Sequence, residues 1–211
     1  MPPSPPLELT LVVAATRQMG IGRNGTLPWT GLRKEMAYFA RVTKRLPASA
    51  DPSTAQNVVI MGRKTWDSIP EKFRPLKDRL NIVISRSHPS TASSADAVVK
   101  LDSLESVLHH LRARQGGNGS GKVFVIGGGE IYAAALKLEE ARRVLLTSVL
   151  EPEFECDTQF PLALGGDKDS AEGWEQRSKD ALDAWTGEEV PGGVQEENGT
   201  RYEFQMWERQ P

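Results

Sequence analysis

Cysteine is nearly absent: Cys156 is the only one in 211 residues. An intrachain disulfide framework is excluded, and so is a zinc site built on several thiolates. Histidine is scarce as well, and no spacing of His, Cys or carboxylate residues suggests a metal site. Neither sign of charge dominates. Lys and Arg number 26 against 28 Asp and Glu, a net charge of −2. The broad basic field that nucleic acid requires is missing, so any anionic ligand must be held by local positive charge. No apolar run reaches the roughly 18–20 residues that span a bilayer. The opening MPPSPPLELT has neither a basic stretch nor a long apolar one. No secretory signal is expected there, and the cytoplasm is the expected compartment. No G-x-S-x-G occurs, which removes the nucleophile elbow of α/β hydrolases. Cys156 stands between Glu155 and Asp157, whose charges oppose thiolate formation and make it a poor nucleophile. His88 precedes Pro89 in a loop, and His109 and His110 flank a helical stripe and are expected to face water.

What is present is an ordinary globular composition. The apolar fraction is 38% before 19 glycines are added, so the chain can bury a core and make one domain. Residues 1–6 are Met, Pro and Ser, a floppy or polyproline-like arm. Leu7–Thr16 is a continuous apolar run, expected as a buried strand. Met19–Trp29, MGIGRNGTLPW, is a glycine-rich loop holding a literal G-x-G-x-x-G. A dinucleotide turn is rejected here, because the third glycine must open a helix and Pro28 follows three residues after Gly25.

Helical periodicity runs over Leu32–Thr43, with Leu32, Met36, Phe39 and Thr43 on one face. A polar loop follows at 48–56. Strands are expected at Asn57–Met61, Leu80–Ser85, Ala97–Lys100, Lys122–Ile126, Arg143–Val149 and Gly199–Glu208. Helices are expected from Gly62 to before Pro70, over Ser103–Arg114 with Leu104, Val107, Leu108 and Leu111 buried, and from Gly129 to about Leu136. Asp102 with Glu105 three residues on resembles a capping box, and Gly116–Gly119 is a flexible connection. Residues 165–193 are polar and hard to read. Alternating strands and helices imply a mostly parallel α/β sheet, and the strands closing the chain imply an antiparallel hairpin.

Several residues carry chemistry. Glu35 lies at the margin of the first helix's apolar face. It suits either a first-turn Glu favoured by the helix dipole or a carboxylate that pairs with a cationic or amidine-like ligand. Gly128-Gly129 before a helix lets phosphate oxygens approach backbone N–H groups, though a tight turn needs glycine equally. Gly62-Arg63-Lys64-Thr65 offers the same geometry with added positive charge. Ser85-Arg86 closes a strand, the end at which α/β sheets bind ligands.

Six segments in order, from Leu9 to Arg209, together resemble the dihydrofolate reductase family. They are MGIGRNGTLPW, LRKEMAYF, VVIMGRKTWDSIPEKFRPLKDRLNIVISR, VFVIGGGEIY, ECDTQFP and VQEENGTRYEFQMWER. The GRKTW and KFRPL forms look most like its fungal branch. The resemblance implies one α/β reductase domain over 7–211. It implies a mostly parallel central sheet of about eight strands, flanking helices and a C-terminal antiparallel hairpin. The implied activity is NADPH-dependent reduction of dihydrofolate to tetrahydrofolate by hydride transfer to C6 and protonation at N5.

The resemblance also assigns residues. Glu35 would bind the pterin N3 and 2-amino group, with Trp29 and Thr147 reaching the water that protonates N5. Val12, Val13, Ala14, Met36, Phe39, Ile69, Phe73, Leu76, Ile126 and Tyr132 would line the substrate. Arg79 would pair with the glutamate tail's α-carboxylate. The cofactor phosphates would meet Arg63, Lys64 and Thr65 on one side and Gly128, Gly129 and Glu130 on the other, with Gly62, Ser68, Ile131 and Tyr132 also binding the cofactor. Ser85, Arg86 and Ser87 would contact the adenosine 2′-phosphate, which implies NADPH over NADH. Ala14, Ile21, Gly25 and Ile126 would lie by the nicotinamide, with Gly20–Leu27 as a flap. Met36 and Phe73 depart from side chains common in the family and should alter inhibitor fit.

Antifolate inhibitors are expected partners of a 23.2 kDa monomer, with no membrane and no nucleic acid expected. The 48–56 and 165–190 insertions are expected as surface elaborations. No thymidylate synthase domain fits in 211 residues, so the single-function form is expected. Two other readings compete: a reductase of the same fold acting on a pyrimidine of riboflavin synthesis, and a catalytically dead folate- or nucleotide-binding module. The Glu35 motif and Arg79 favour folate over the first, and the filled catalytic positions oppose the second.

Overall fold

The apolar run that begins at Leu7 becomes a strand from Leu9, every residue of it buried except half-buried Ala14. A computed structural model of the chain describes residues 6–87, 98–114, 120–165 and 171–210. The arm at 1–5, Ala97, His88, the 116–119 connection and residues 166–170 of the second insertion lie outside the described residues.

In chain order the strands are β1 (Leu9–Thr16), β2 (Gly20–Gly22), β3 (Gln56–Gly62), β4 (Arg79–Ile84), β5 (Val98–Leu101), β6 (Ser120–Val125), β7 (Ala141–Glu151), β8 (Thr158–Gln159), β9 (Trp174–Gln176), β10 (Gln195–Glu197) and β11 (Thr200–Arg209). The helices are α1 (Arg33–Lys44), α2 (Arg63–Ser68), α3 (Leu104–Arg114), α4 (Gly129–Leu136) and α5 (Lys179–Thr186), with a 3-10 turn at Glu71–Phe73. The chain packs as two units. One holds the residues through Thr10 with Thr43–Ala141, the other Leu11–Val42 with the chain from Arg142 on.

In the first unit the strands lie in the order β6-β3-β4-β5, every pair parallel. Helices cover parallel strands on both faces, so these strands read as continuous apolar runs rather than alternating ones. Accordingly Val59, Ile60, Met61, Ile82, Phe124 and Val125 are fully or almost fully buried. Buried Asn57 satisfies its whole amide: Nδ2 donates to the Thr43 and Arg45 carbonyls at 2.9 and 3.0 Å. Its Oδ1 accepts from Lys122 N at 2.8 Å. α3 buries the predicted Leu104, Val107, Leu108 and Leu111. Its cap differs from the capping box read at Asp102. Ser103 Oγ accepts from Ser106 N at 3.2 Å, whereas Asp102 Oδ1 accepts from the hydroxyls of Ser103 and Ser106. Ser103 is therefore the side chain that satisfies a first-turn N–H. His109 is exposed, but His110 is half-buried and its Nε2 is fully covered. Burial, with Arg114 and His109 nearby, pulls its pKa down.

In the second unit the order is β10-β11-β7-β1, with β9 also on β11. β11 is antiparallel to β7, β9 and β10. The hairpin turns at Asn198-Gly199, both at positive φ (49° and 74°), the backbone that Asn-Gly supplies to a two-residue hairpin. The expected α/β class, parallel early and antiparallel at the close, is borne out.

α1 corrects the wheel drawn from sequence. Its buried face carries Glu35, Tyr38, Val42 and Thr43, while Met36 is 54% exposed. Glu35 thus stands within the buried stripe, not at its margin. The polar 165–193 stretch conceals β9 and α5. α5 is capped by Ser178, whose Oγ accepts from Ala181 N at 3.2 Å, and closed by Gly187 at φ 74°. Arg41 grips Glu188 behind it with Nε to Oε2 at 3.0 Å.

Candidate active site

The site residues fall in both units, and each group is built by its own unit. In the second unit, α1 delivers Glu35 against β7. Glu35 is only 8% exposed, and Thr147 Oγ1 donates to its Oε1 at 3.0 Å. Thr147 lies on β7, opposite Phe204 on β11. Burial pushes the Glu35 carboxyl up to about 7; the Thr147 hydrogen bond opposes that rise, and the Glu197 carboxylate adds to it. A carboxylic acid that changes charge near neutral pH is poised for acid–base work or for pairing with a cationic edge. Its Oε2 makes no hydrogen bond to a described residue.

Trp29, Leu32, Val149 and Tyr202 pack together with Ala14, Phe154 and Phe204 against them. The Trp29 ring meets Phe154 edge-on at 5.6 Å. Its Nε1 is buried with no partner among the described residues, a donor available to a bound molecule because a buried N–H left unpaired is costly. Val12 and Val13 are buried, and Phe39 is half-buried. The Gly20–Leu27 segment is tied at its base. Gly20 and Gly22 pair with Gln159 and Thr158, Asp157 N donates to the Gly22 carbonyl at 2.9 Å, and Asn24 N donates to Asp157 Oδ2 at 2.7 Å. Ile21 is half-buried and Gly25 exposed at φ 76°. A Cβ at Gly20 would fall onto Cys156 Sγ. The Cys156 thiol is raised as expected, but burial is the first cause and Asp157 a lesser one. Glu155 instead pairs with Arg23 at 2.8 Å.

In the first unit, parallel β6, β3 and β4 bring three turns to the same strand ends. Gly127-Gly128 precedes α4, Gly62 precedes α2, and Ser85-Arg86-Ser87 follows β4. Neither α2 nor α4 has a side-chain cap, so first-turn N–H groups remain available to an anion. The turns are close: Gly62 N donates to the Gly127 carbonyl at 2.8 Å. A Cβ on Gly127 or Gly128 would stand 3.3 Å from Thr65 Oγ1, and one on Gly62 3.1 Å from Ile131 Cγ1. A side chain would crowd these turns, and the positive φ of Gly127 favours glycine outright.

Arg63 and Lys64 are exposed, and Arg63 leans on Asp67 at 3.6 Å. Ser68 Oγ turns back to the Thr65 carbonyl at 2.7 Å. Ser85 is buried, with its Oγ 3.4 Å from that of Ser87. Arg86 is exposed and pairs with no carboxylate among the described residues. Tyr132 is buried, while Ile126, Gly129 and Ile131 are half-buried and Glu130 exposed.

Arg79 is buried. Its Nη1 donates to Thr43 Oγ1 at 2.7 Å and its Nε to the Lys77 carbonyl at 2.9 Å. Burial pulls its pKa down, and Asp78 opposes that. Asp78 itself pairs with Lys44 at 3.1 Å. A buried guanidinium with no carboxylate salt bridge among the described residues suits an incoming carboxylate. Leu76 N donates to Asn81 Oδ1 at 2.9 Å, and Leu76 and Ile69 are half-buried. Phe73 is 56% exposed.

The family model for dihydrofolate reductase matches residues 8–209. The chain belongs to the dihydrofolate reductase family. It is 41% identical to the dihydrofolate reductase of Pneumocystis carinii over 205 residues, covering 96% of this chain and 97% of that one. It is also 41% identical to the Cryptococcus neoformans enzyme over 220 residues, covering 95% and 94%. The mouse enzyme is 39% identical over 202 residues, covering 95% and 97%, so the two fungal relatives stand slightly above it. The structure is similar to Schistosoma mansoni dihydrofolate reductase with a TM-score of 0.72 at 33% identity, covering 96% and 98%. Membership in this reductase family implies a nicotinamide cofactor and a small-molecule substrate. No helix among the described residues is long and apolar enough to cross a membrane.

Two residues of the Glu35 group escape a reading of the sequence: Glu197 and Tyr202. Glu197 Oε1 accepts from Lys34 N at 2.9 Å, and its Oε2 accepts from Glu35 N at 3.3 Å. The Asn198-Gly199 hairpin signal locates both residues. Nothing local says that Glu197 meets a helix 162 residues away.

Proposed function

We propose that residues 7–211 act as one cytoplasmic reductase domain, monomeric, that uses NADPH to reduce 7,8-dihydrofolate to 5,6,7,8-tetrahydrofolate. The observation that carries this reading is Glu35: a buried carboxyl tuned to about 7, with one oxygen held by Thr147. Its two oxygens, both acceptors, suit the pterin N3–H and 2-amino group, two donors that form an amidine-like edge. A bidentate, charge-assisted pair of this kind gives both orientation and energy. Trp29 and Thr147 shape the adjoining space for a water that reaches N5. Glu35 raises the proton affinity of that region without itself reaching N5, so the proton passes through the water. Val12, Val13 and Ala14 would line the pterin, Phe39, Ile69 and Leu76 would flank its rings, exposed Met36 and Phe73 would tune inhibitor fit, and Arg79 would anchor the tail carboxylate.

The residues present fit the cofactor. A Cβ at Gly62, Gly127 or Gly128 would crowd Ile131 or Thr65, and the uncapped first turns of α2 and α4 suit phosphate oxygens. Arg63, Lys64 and Thr65 would hold the phosphates from one side and Gly128, Gly129 and Glu130 from the other. Ser85, Arg86 and Ser87 would read the 2′-phosphate. When bound, NADPH supplies the hydride for C6. Antifolates would compete by offering Glu35 a protonated diamino edge.

The test is steady-state NADPH oxidation with dihydrofolate beside the diaminopyrimidine intermediate of riboflavin synthesis. Turnover with dihydrofolate alone supports the reading. Turnover with the pyrimidine alone, or tight binding of both ligands without turnover, refutes it.

A further inference from the structure

α1 begins without a side chain of its own to satisfy its first N–H groups, yet those groups are not left bare. Helix starts leave N–H donors that need acceptors. Here the acceptor comes from β10. Glu197 Oε1 and Oε2 both accept from Lys34 N, at 2.9 and 3.1 Å, and Oε2 accepts from Glu35 N at 3.3 Å. The Tyr202 hydroxyl donates to the same Oε2 at 2.6 Å. Burial opposes ionisation of Glu197, but the Tyr202 hydroxyl and the two backbone N–H groups outweigh it and hold the carboxyl below its ordinary range. The next residue repeats the tie: Asn198 Nδ2 donates to the Thr30 carbonyl at 3.2 Å. Gly31 stands at φ 76°, and a Cβ there would lie 2.6 Å from that Nδ2.

Glu35 is therefore gripped at two points by neighbouring strands. Thr147 on β7 holds its side chain, and Glu197 holds its backbone. Tyr202, which orients Glu197, lies opposite Val149 on β7, two residues from Thr147, so the same strand pair sets both grips. We propose that Glu197 is a positioning residue for the reaction: its carboxylate fixes the first turn of α1 and thereby the place and charge state of Glu35. This rests on the role of Glu35 given above.

The titratable groups around Glu35 are Glu197 on β10, Tyr202 on β11 and Tyr38 on α1 itself, with Lys34 beside Glu197. Burial first, then neighbouring carboxylates, raises both phenols, so they stay neutral at working pH. Glu197 is then the negative charge that disfavours ionised Glu35, beyond the effect of burial.

The experiment follows the Glu35 carboxyl by carbon NMR in the ligand-free protein, with amide exchange at Lys34 and Glu35 and the pH profile of turnover alongside. Glu197→Gln keeps an acceptor oxygen but loses the charge. Its Glu35 midpoint should fall from about 7 by about half a pH unit or more. The turnover profile should move in the same direction. Glu197→Ala removes both, and exchange at the two amides should accelerate roughly tenfold, the scale of a lost cap. Glu197→Asp, which restores the charge, should return the midpoint toward the wild-type value. A Glu197→Gln midpoint that stays at the wild-type value overturns the proposal, as does one that moves without the turnover profile. The NMR reading needs no turnover. Failure of the Glu35 assignment would instead appear as an active Glu35→Ala enzyme, while Glu197→Gln in the chain that keeps Glu35 still shifts the carboxyl midpoint.

Discussion

Glu35→Gln should make the ligand-free protein more stable at pH 8 while leaving it nearly unchanged at pH 4. The folded state raises this carboxyl from 4.5 to about 7, chiefly by burial. Between those values the folded chain binds a proton that the unfolded chain has released. Stability therefore falls as pH rises through this window and levels off above it. At about 1.4 kcal/mol per pH unit, the gap amounts to about 3 kcal/mol lost by pH 8. Gln at this position has no proton to lose, and its carbonyl still accepts from Thr147 Oγ1, the contact now made at 3.0 Å. Any fixed cost of the amide shifts the variant equally at every pH, so the diagnostic quantity is the slope. Urea unfolding from pH 4 to 8 should show the variant gaining up to about 3 kcal/mol on the wild type. At about 2–4 °C per kcal/mol for a chain this long, that is a Tm separation of roughly 6–12 °C at the upper bound. Parallel stability curves across the range would refute the reasoning, because Glu35 would then titrate alike folded and unfolded.

Arg86→Ala should weaken NADPH about ten- to a hundredfold, from a charged hydrogen bond worth about 1.5–3 kcal/mol, and leave NADH nearly unchanged. Raising salt should erode wild-type NADPH binding more than the variant's, and equal losses for the two cofactors by titration would remove Arg86 from the 2′-phosphate. Gly20→Ala should destabilise the protein by about 1–3 kcal/mol, the scale of overpacking, since its methyl meets Cys156 Sγ. Replacing Cys156 by Gly in the same chain should recover most of that loss in urea unfolding, and no recovery would mean that the strain lies in the β2–β8 pairing.

The elements legible in the sequence are those whose pattern is local. Val58–Met61 and Ile82–Ile84 are apolar without alternation because helices bury both faces of a parallel strand, and the run itself signals this. The glycine turns before α2 and α4 were visible for the same reason: glycine marks a close approach, here to Thr65 and Ile131. α5 was hidden by its polar surface. Only Leu182 and Thr186 are buried on it, too few for a stripe, although Ser178 and Gly187 marked both ends. The α1 wheel erred because Met36 is apolar yet exposed and Glu35 charged yet buried. Binary patterning places both wrongly, and such reversals are expected where function overrides packing. The tie from Glu197 to α1 could not be read, since Lys34 and Glu35 stand 163 and 162 residues away.

The hydride step, followed in a single turnover with saturating NADPH and dihydrofolate from mildly acid to strongly basic pH, tests the role of Glu35 most directly. The wild type should slow as pH rises, through one apparent midpoint that belongs to the bound complex rather than to Glu35 alone. Glu35→Ala should fold and be slower by about 10²–10⁴-fold at pH 7. A flat wild-type profile, or a Glu35→Ala rate near that of the wild type, would contradict the account.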